Sequence, residues 1–459
     1  MSTRLLTALL AGVGLASCAV QSPALRQDFR VRQVPYTPDS GSLAIRCGRL
    51  IDGVLLHDQR DVLVIVRDGR VTEIVDRASV RDAAAAHLPV LDLSALTCLP
   101  GLIDMHTHLT DAPEDTADLR VYFTRTAEET QRKGLANASA TLLAGFTTVR
   151  NVGTYVIGAD TALRDVIDSG RAAGPRMQVS GPYLTIPHGG GDLYVPGYQE
   201  PEGSGRFHAG VARGPGEFRA KSRDLLNNGS DFLKVIASGA VLAFDSAPGE
   251  PEMNEEEITA VVDVAHAAHK KVAAHAHGAE SIKMAMRAGV DTVEHASYLD
   301  DEGIALAREL GVALAMDVYN GTYIDTEGRR MNWPADFLRK NVETTEIQRQ
   351  AFTKAVRAGA PIVFATDAAV YPHGLNARQF PIMVERGMKP MQAIQSATSV
   401  AAKYLGWSDQ VGSLEPGKLA DIIAVRGDPL TDIGVLQQVD VVIKGGVIFK
   451  LPQEFQSMK

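Results

Sequence analysis

Two pairs of histidines spaced one residue apart, His106/His108 in GLIDMHTHL and His275/His277 in VAAHAHG, are the groups in this sequence best suited to chemistry. With 12 His in 459 residues, an H-x-H pair arises by chance about 0.3 times, so two of them call for an explanation. Alternate residues of an extended strand point to the same side, and His106 and His108 can therefore offer two neutral imidazoles to one metal ion. His275 and His295, each at the end of a further apolar run, add two nitrogen ligands, and Asp367 in FATDA adds a carboxylate. Lys234 in DFLKVIASG does not fit that list, because an ammonium is costly to bury and cannot bind a cation. Burial lowers a lysine's pKa, however, and a neutral amine reacts with carbon dioxide to give a carbamate, a carboxylate able to bridge two metals.

These side chains fall at or near the ends of apolar runs, which points to the elements that must position them. The runs GLIDMHTH, GFTTVRNVG, RMQVSGPYL, DFLKVIASG, VAAHAHG, DTVEHAS, VALAMDVYN and PIVFATDAA alternate with helical stretches such as EEEITAVVDVAHAAHK. Eight such units over about 300 residues indicate an α/β fold, a (β/α)8 TIM barrel with its chemistry at the C-terminal ends of the strands. The runs are continuously apolar, as parallel strands buried on both faces are. A doubly wound sheet is the alternative, but no G-x-G-x-x-G follows the first strand. Before and after the barrel the chain reads as short β-rich segments broken by Gly and Asp-Gly turns, such as DVLVIVRDGRVTEIV and VDVVIKGGVIFK. Residues 41–97 and 408–459 are accordingly expected to form one small β-sandwich around a catalytic barrel at 98–407.

The opening residues 1–18 read as a signal peptide, and Leu15-Ala16-Ser17-Cys18 resembles the lipobox of bacterial lipoproteins, in which Cys18 would be lipidated. Residues 19–40 read as a polar, proline-containing linker. The expectation is an exported bacterial protein, periplasmic or tethered to the outer membrane, touching the bilayer only through that lipid anchor. A formal charge of -9 without a block of Lys and Arg excludes a nucleic-acid partner. Cys47 and Cys98 lie outside metal-binding spacings, and an oxidising compartment allows a disulfide as readily as two buried thiols.

The ordered set of H-x-H on the first strand, Lys on the fourth, His on the fifth and sixth and Asp on the eighth resembles the binuclear subtype of the amidohydrolase superfamily. LPGLIDMHTH is similar to its P-G-[LF]-I-D-x-H-x-H opening, and GSLEPGKLADIIAVRGDPL followed by VIKGGVIF is similar to its C-terminal sandwich signature. The resemblance implies two divalent ions, usually Zn. His106, His108 and Asp367 would hold the more buried ion and His275 and His295 the other, with a carboxylated Lys234 (N6-carboxylysine) between them. AGFTTVRNVG, the HGGG at 188–191, HAHG and VEHAS look most like the branch of Xaa-Pro and related dipeptidases and ochratoxin-hydrolysing amidases, with imidazolonepropionase a more distant cousin. Two departures stand out: Arg150-Asn151 where Arg-Asp is frequent, and His188 before its glycines rather than after them.

That resemblance implies hydrolysis of the amide of a dipeptide or N-acyl amino acid by a hydroxide shared between the metals, with Asp367 shuttling the proton. His277, His188, Tyr319 and His373 are the candidates for contact with a small-molecule amide or dipeptide substrate. Relatives commonly form rings or stacked dimers, so a homo-oligomer is expected. A cyclic-amide hydrolase or deaminase on the same scaffold is the alternative. A mononuclear deaminase, however, would not need Lys234 and commonly has an acidic residue where this chain has Gly278. A non-enzymatic relic would have lost ligands, whereas all six remain. His266 and His269 sit at i and i+3 without an H-E-x-x-H pattern and read as a solvated helix face.

Overall fold

A computed structural model describes residues 41–76 and 87–455. The expected signal peptide, lipidation site and linker lie outside them. Eight short parallel strands follow one another through the middle of the chain: β5 (Leu102–Thr107), β6 (Phe146–Asn151), β7 (Arg176–Val179), β8 (Leu233–Ile236), β9 (Val272–Ala276), β10 (Thr292–His295), β11 (Ala313–Ala315) and β12 (Ile362–Val363). They pair in the orders β5-β6-β7 and β12-β11-β10-β9-β8. Backbone hydrogen bonds join the two sheets at both seams. Leu184 N donates to Lys234 O and Ile236 N to Leu184 O, both at 2.9 Å. On the other side Met105 N donates to Phe364 O and His108 N to Ala368 O, again at 2.9 Å. The result is the (β/α)8 barrel, and every strand residue from β8 to β12 is buried.

Local signals place the surrounding helices. Thr126 caps helix Ala127–Leu143 and Asn254 caps Glu255–Ala267, each exchanging reciprocal bonds with a Glu three residues on. Helices Asp301–Leu310 and Ala335–Ala358 end at Gly311 and Gly359, both with φ of 69°, the left-handed conformation that glycine adopts without penalty. Their apolar faces form the main core between helices and barrel, where Leu142, Leu163, Ile258 and Phe352 are buried.

The remaining strands are β1 (Leu43–Leu50), β2 (Gln59–Arg67), β3 (Arg70–Asp76), β4 (Val90–Pro100), β13 (Ile422–Val425), β14 (Val441–Lys444) and β15 (Val447–Lys450). They form one seven-stranded ladder, β15-β14-β13-β4-β1-β2-β3, so the segments before and after the barrel share a sheet. It encloses a separate core that includes Ile45, Val64, Leu91 and Ile443. Only Gly101 separates β4 from β5, and a Cβ there would lie 2.1 Å from the Thr147 hydroxyl. Cys47 on β1 and Cys98 on β4 form a disulfide, which decides between the two states that the sequence left open.

A bridge spanning 51 residues restricts the unfolded chain by about 4 kcal/mol in the loop-entropy treatment. The double variant Cys47→Ala/Cys98→Ala is therefore expected to lose roughly 2–4 kcal/mol in urea unfolding. An unchanged midpoint would show that the bridge adds nothing.

Candidate active site

The C-terminal strand ends converge on one cleft, lined by His106, His108, Lys234, His275, His277, His295, Asp317 and Asp367. His106 and His108 come from the end of β5, Lys234 from β8, His275 and His277 from β9, and His295 from the last position of β10. Asp317 and Asp367 follow β11 and β12. Possible ligand atoms of His106, His295 and Asp367 lie within 4.8 Å of one another, as do those of His275, His277 and His295. Asp367 Oδ1 is 3.3 Å from His106 Nε2 and 3.2 Å from His108 Nε2. His295 and Asp367 hold positive φ angles of 65° and 56°, a conformation non-glycine residues rarely adopt and one that gathers at functional sites.

Each imidazole is oriented from behind. Burial pushes the Glu294 carboxyl up, but the Arg150 and Lys234 charges and the His106 hydrogen bond together outweigh it and hold the group well below the usual range. Glu294 accepts from Arg150 Nη2 and from His106 Nδ1, both at 2.7 Å. His106 therefore carries its proton on Nδ1 and turns an Nε2 lone pair into the cleft. His295 Nδ1 faces Asp317 Oδ1 at 3.0 Å in the same way. A carbonyl can only accept, so His108 donates Nδ1–H toward Gly153 O at 3.2 Å and His275 donates Nε2–H toward Gly239 O at 3.2 Å. His277 Nδ1 hydrogen-bonds Ser297 Oγ at 2.8 Å. Burial pushes His275 and His277 well below the usual imidazole range and His295 down to about 3. Three of the imidazoles are thus neutral near pH 7, the form that binds metals.

Lys234 is buried, and its Nζ has no hydrogen-bond partner among the described residues. Burial pushes the amine down to about 8. Neutral nitrogens, a carboxylate and a buried amine without a partner form a donor set that fits metal ions, and the two clusters could each hold one.

The other sequence candidates lie elsewhere. Only His277 of the four proposed substrate contacts lines the cleft. His188, at φ 60°, stacks on Tyr194 with ring centres 4.2 Å apart. His373 is buried with Nε2 3.3 Å from Asp111 O, and burial pushes it down to about 4. The Tyr319 hydroxyl accepts from Arg378 Nη1 at 2.7 Å, and its ring packs on Tyr371. Asn151, the departure noted beside Arg150, accepts from Leu109 N at 2.6 Å and so shapes the loop after β5. The sequence reading missed Glu294 and Asp317. Asp317 stands two residues beyond an apolar strand, the kind of placement that singled out the other candidates, whereas Glu294 is recognisable only through partners far along the chain.

Residues 97–449 match the Amidohydrolase family. The ochratoxinase of Aspergillus niger is 29% identical over 480 residues, covering 98% of this chain and 96% of that protein. The imidazolonepropionase of Shewanella oneidensis is 26% identical, covering 84% and 92%. Among solved structures, a Xaa-Pro dipeptidase with methionine bound in its active site superposes with a TM-score of 0.82 at 35% identity, covering 89% of this chain and 100% of that one. The A. niger ochratoxinase structure gives 0.78 at 26% identity, covering 90% and 96%.

Removing one member of a buried ion pair strands the other. Glu294→Ala is expected to cost about 3–5 kcal/mol in urea unfolding, and Glu294→Gln, which keeps the shape and the acceptor oxygen, clearly less. Equal stability of both variants with the parent would refute a paired Arg150.

Proposed function

The chain belongs to the amidohydrolase family, and on that premise we propose that it hydrolyses the amide bond of dipeptides or N-acyl amino acids. One observation carries this reading: the unpartnered Lys234 amine stands in the same cleft as the neutral imidazoles and Asp367. Its relatives, an ochratoxinase and a Xaa-Pro dipeptidase, support amide bonds with an amino acid on one side.

In this reading Lys234 Nζ adds carbon dioxide and releases a proton, which turns the amine into an anionic carbamate and gives the buried nitrogen its counterpart. His106, His108 and Asp367 would hold one divalent ion, Zn in the expected case. His275 and His295 would hold a second, with the carbamate between them. When bound, such a pair supplies Lewis acidity for water activation and carbonyl polarisation. The side chains do the rest. Glu294 and Asp317 fix the tautomers of His106 and His295, so both present lone pairs without rearrangement. Asp367 keeps Oδ1 toward the two histidines, while its Oδ2, 3.5 Å from Asn320 Nδ2, accepts the proton of the attacking water and returns it to the leaving nitrogen. His277, braced by Ser297, donates to the carbonyl oxygen as charge develops there.

Elemental analysis of the purified protein is expected to find about two divalent ions per chain. Lys234→Ala should lower amide turnover by at least about 100-fold, with part of it restored by acetate or propionate standing in for the carbamate. A panel of N-acyl amino acids, Xaa-Pro and Xaa-Arg dipeptides and ochratoxin locates the substrate. No hydrolysis of any amide by the metal-loaded protein would refute the assignment.

A further inference from the structure

The side of the cleft built by the loops after β5, β6 and β7 is aromatic and acidic. Tyr183, Tyr155 and Tyr122 form a ladder that starts at His108. The ring centres of His108 and Tyr183 are 6.0 Å apart, those of Tyr183 and Tyr155 5.2 Å, and those of Tyr155 and Tyr122 5.0 Å. At the Tyr122 end lies the carboxylate of Asp111, which also lines the cleft.

The three cleft carboxylates differ in what they face. Asp367 meets His106 and His108, and Asp317 meets His295 and Gln348. Asp111 has no ion pair among the described residues, although it is 7% exposed. The nearby cations are already engaged by its neighbours, since Asp115 pairs with both Arg125 and Lys133, and Lys133 also meets Glu114. Among the described residues no Arg lines the cleft, and its one Lys is Lys234. A mostly buried carboxylate with no direct ion pair of its own, beside phenol rings, is the composition that receives a cation, by charge-assisted hydrogen bonding and by attraction to the ring faces.

We propose that Asp111, with Tyr122, Tyr155 and Tyr183, forms a subsite for a cationic nitrogen of the substrate, an ammonium or guanidinium group. The proposal deepens the amide-hydrolase reading and rests on it for the word substrate: among dipeptides and acyl amino acids, those carrying a positive group near the scissile bond are the ones this wall selects. Asp111 acts here as a specificity residue, without part in bond cleavage. The cation can come from a basic side chain or from a free N-terminal amine.

The test compares kcat/KM for matched amides differing only in charge, using the metal-loaded full-length protein. One arm replaces lysine by norleucine at either position of a dipeptide, and the other acetylates the N-terminus. In at least one arm the charged member is expected to be favoured by roughly 10–100-fold. In Asp111→Asn that ratio should fall toward one, and in Tyr155→Leu it should fall part of the way. Calorimetric binding of pentylammonium against pentanol reads the subsite without turnover, and the ammonium is expected to bind tighter in an Asp111-dependent manner. Amide hydrolysis with no charge preference in either arm, or an equal loss for both members in Asp111→Asn, overturns the subsite. Ammonium binding with no amide hydrolysed keeps the subsite and removes the hydrolytic assignment instead.

Discussion

The ion pair between Arg150 and Glu294, sealed inside the barrel, is the interaction on which the site depends. Isolated buried pairs add little net stability, because the desolvation of two ions offsets their attraction. Here the pair does something else. Arg150 reaches from β6 to the Met105 carbonyl on β5 and to Thr292 and Glu294 on β10, crossing the interior of the barrel. It keeps Glu294 anionic, Glu294 fixes the proton of His106, and His106 then has one nitrogen left to present. Burial lowers the Lys234 amine, and the same guanidinium adds to that effect against the Glu294 charge, which raises it. One charge thus orients an imidazole and acts on a buried amine together.

The barrel was legible in the sequence because its strands are continuous apolar runs whose ends carry His, Lys and Asp. The convergence of those ends follows from the topology, so the spacing of strands along the chain already implied one shared mouth. What stayed hidden depends on contacts between distant residues. Glu294 touches His106 across 188 positions, and nothing in VEHAS marks it as a partner of the first strand. His188, Tyr319 and His373 carry suitable chemistry in suitable loops, yet loop conformation decides where they point. A left-handed turn at His188 and an arginine beside Tyr319 direct these side chains elsewhere. The Cys47–Cys98 bridge was undetermined for a similar reason, since pairing depends on β1 lying next to β4.

The cleft has two unlike walls. One, from the loops after β5 to β7, is built of phenols and Asp111. The other draws Asn341, Thr344 and Gln348 from helix Ala335–Ala358, and Gln348 also donates to Asp317 and to the His295 carbonyl. Helix on one side and loops on the other is a division suited to an enzyme whose clustered histidines must stay fixed while its recognition surface varies.

The absence of any hinge between sheet and barrel has a mechanical corollary. β4 and β5 are one nearly continuous strand interrupted at Gly101, and the neighbouring Thr147 leaves no room for a side chain there. The two cores consequently share a spine. Heat that frays the seven-stranded ladder would pull directly on the strand carrying His106 and His108, so the molecule is expected to melt as a single cooperative body, with inactivation and unfolding on one curve.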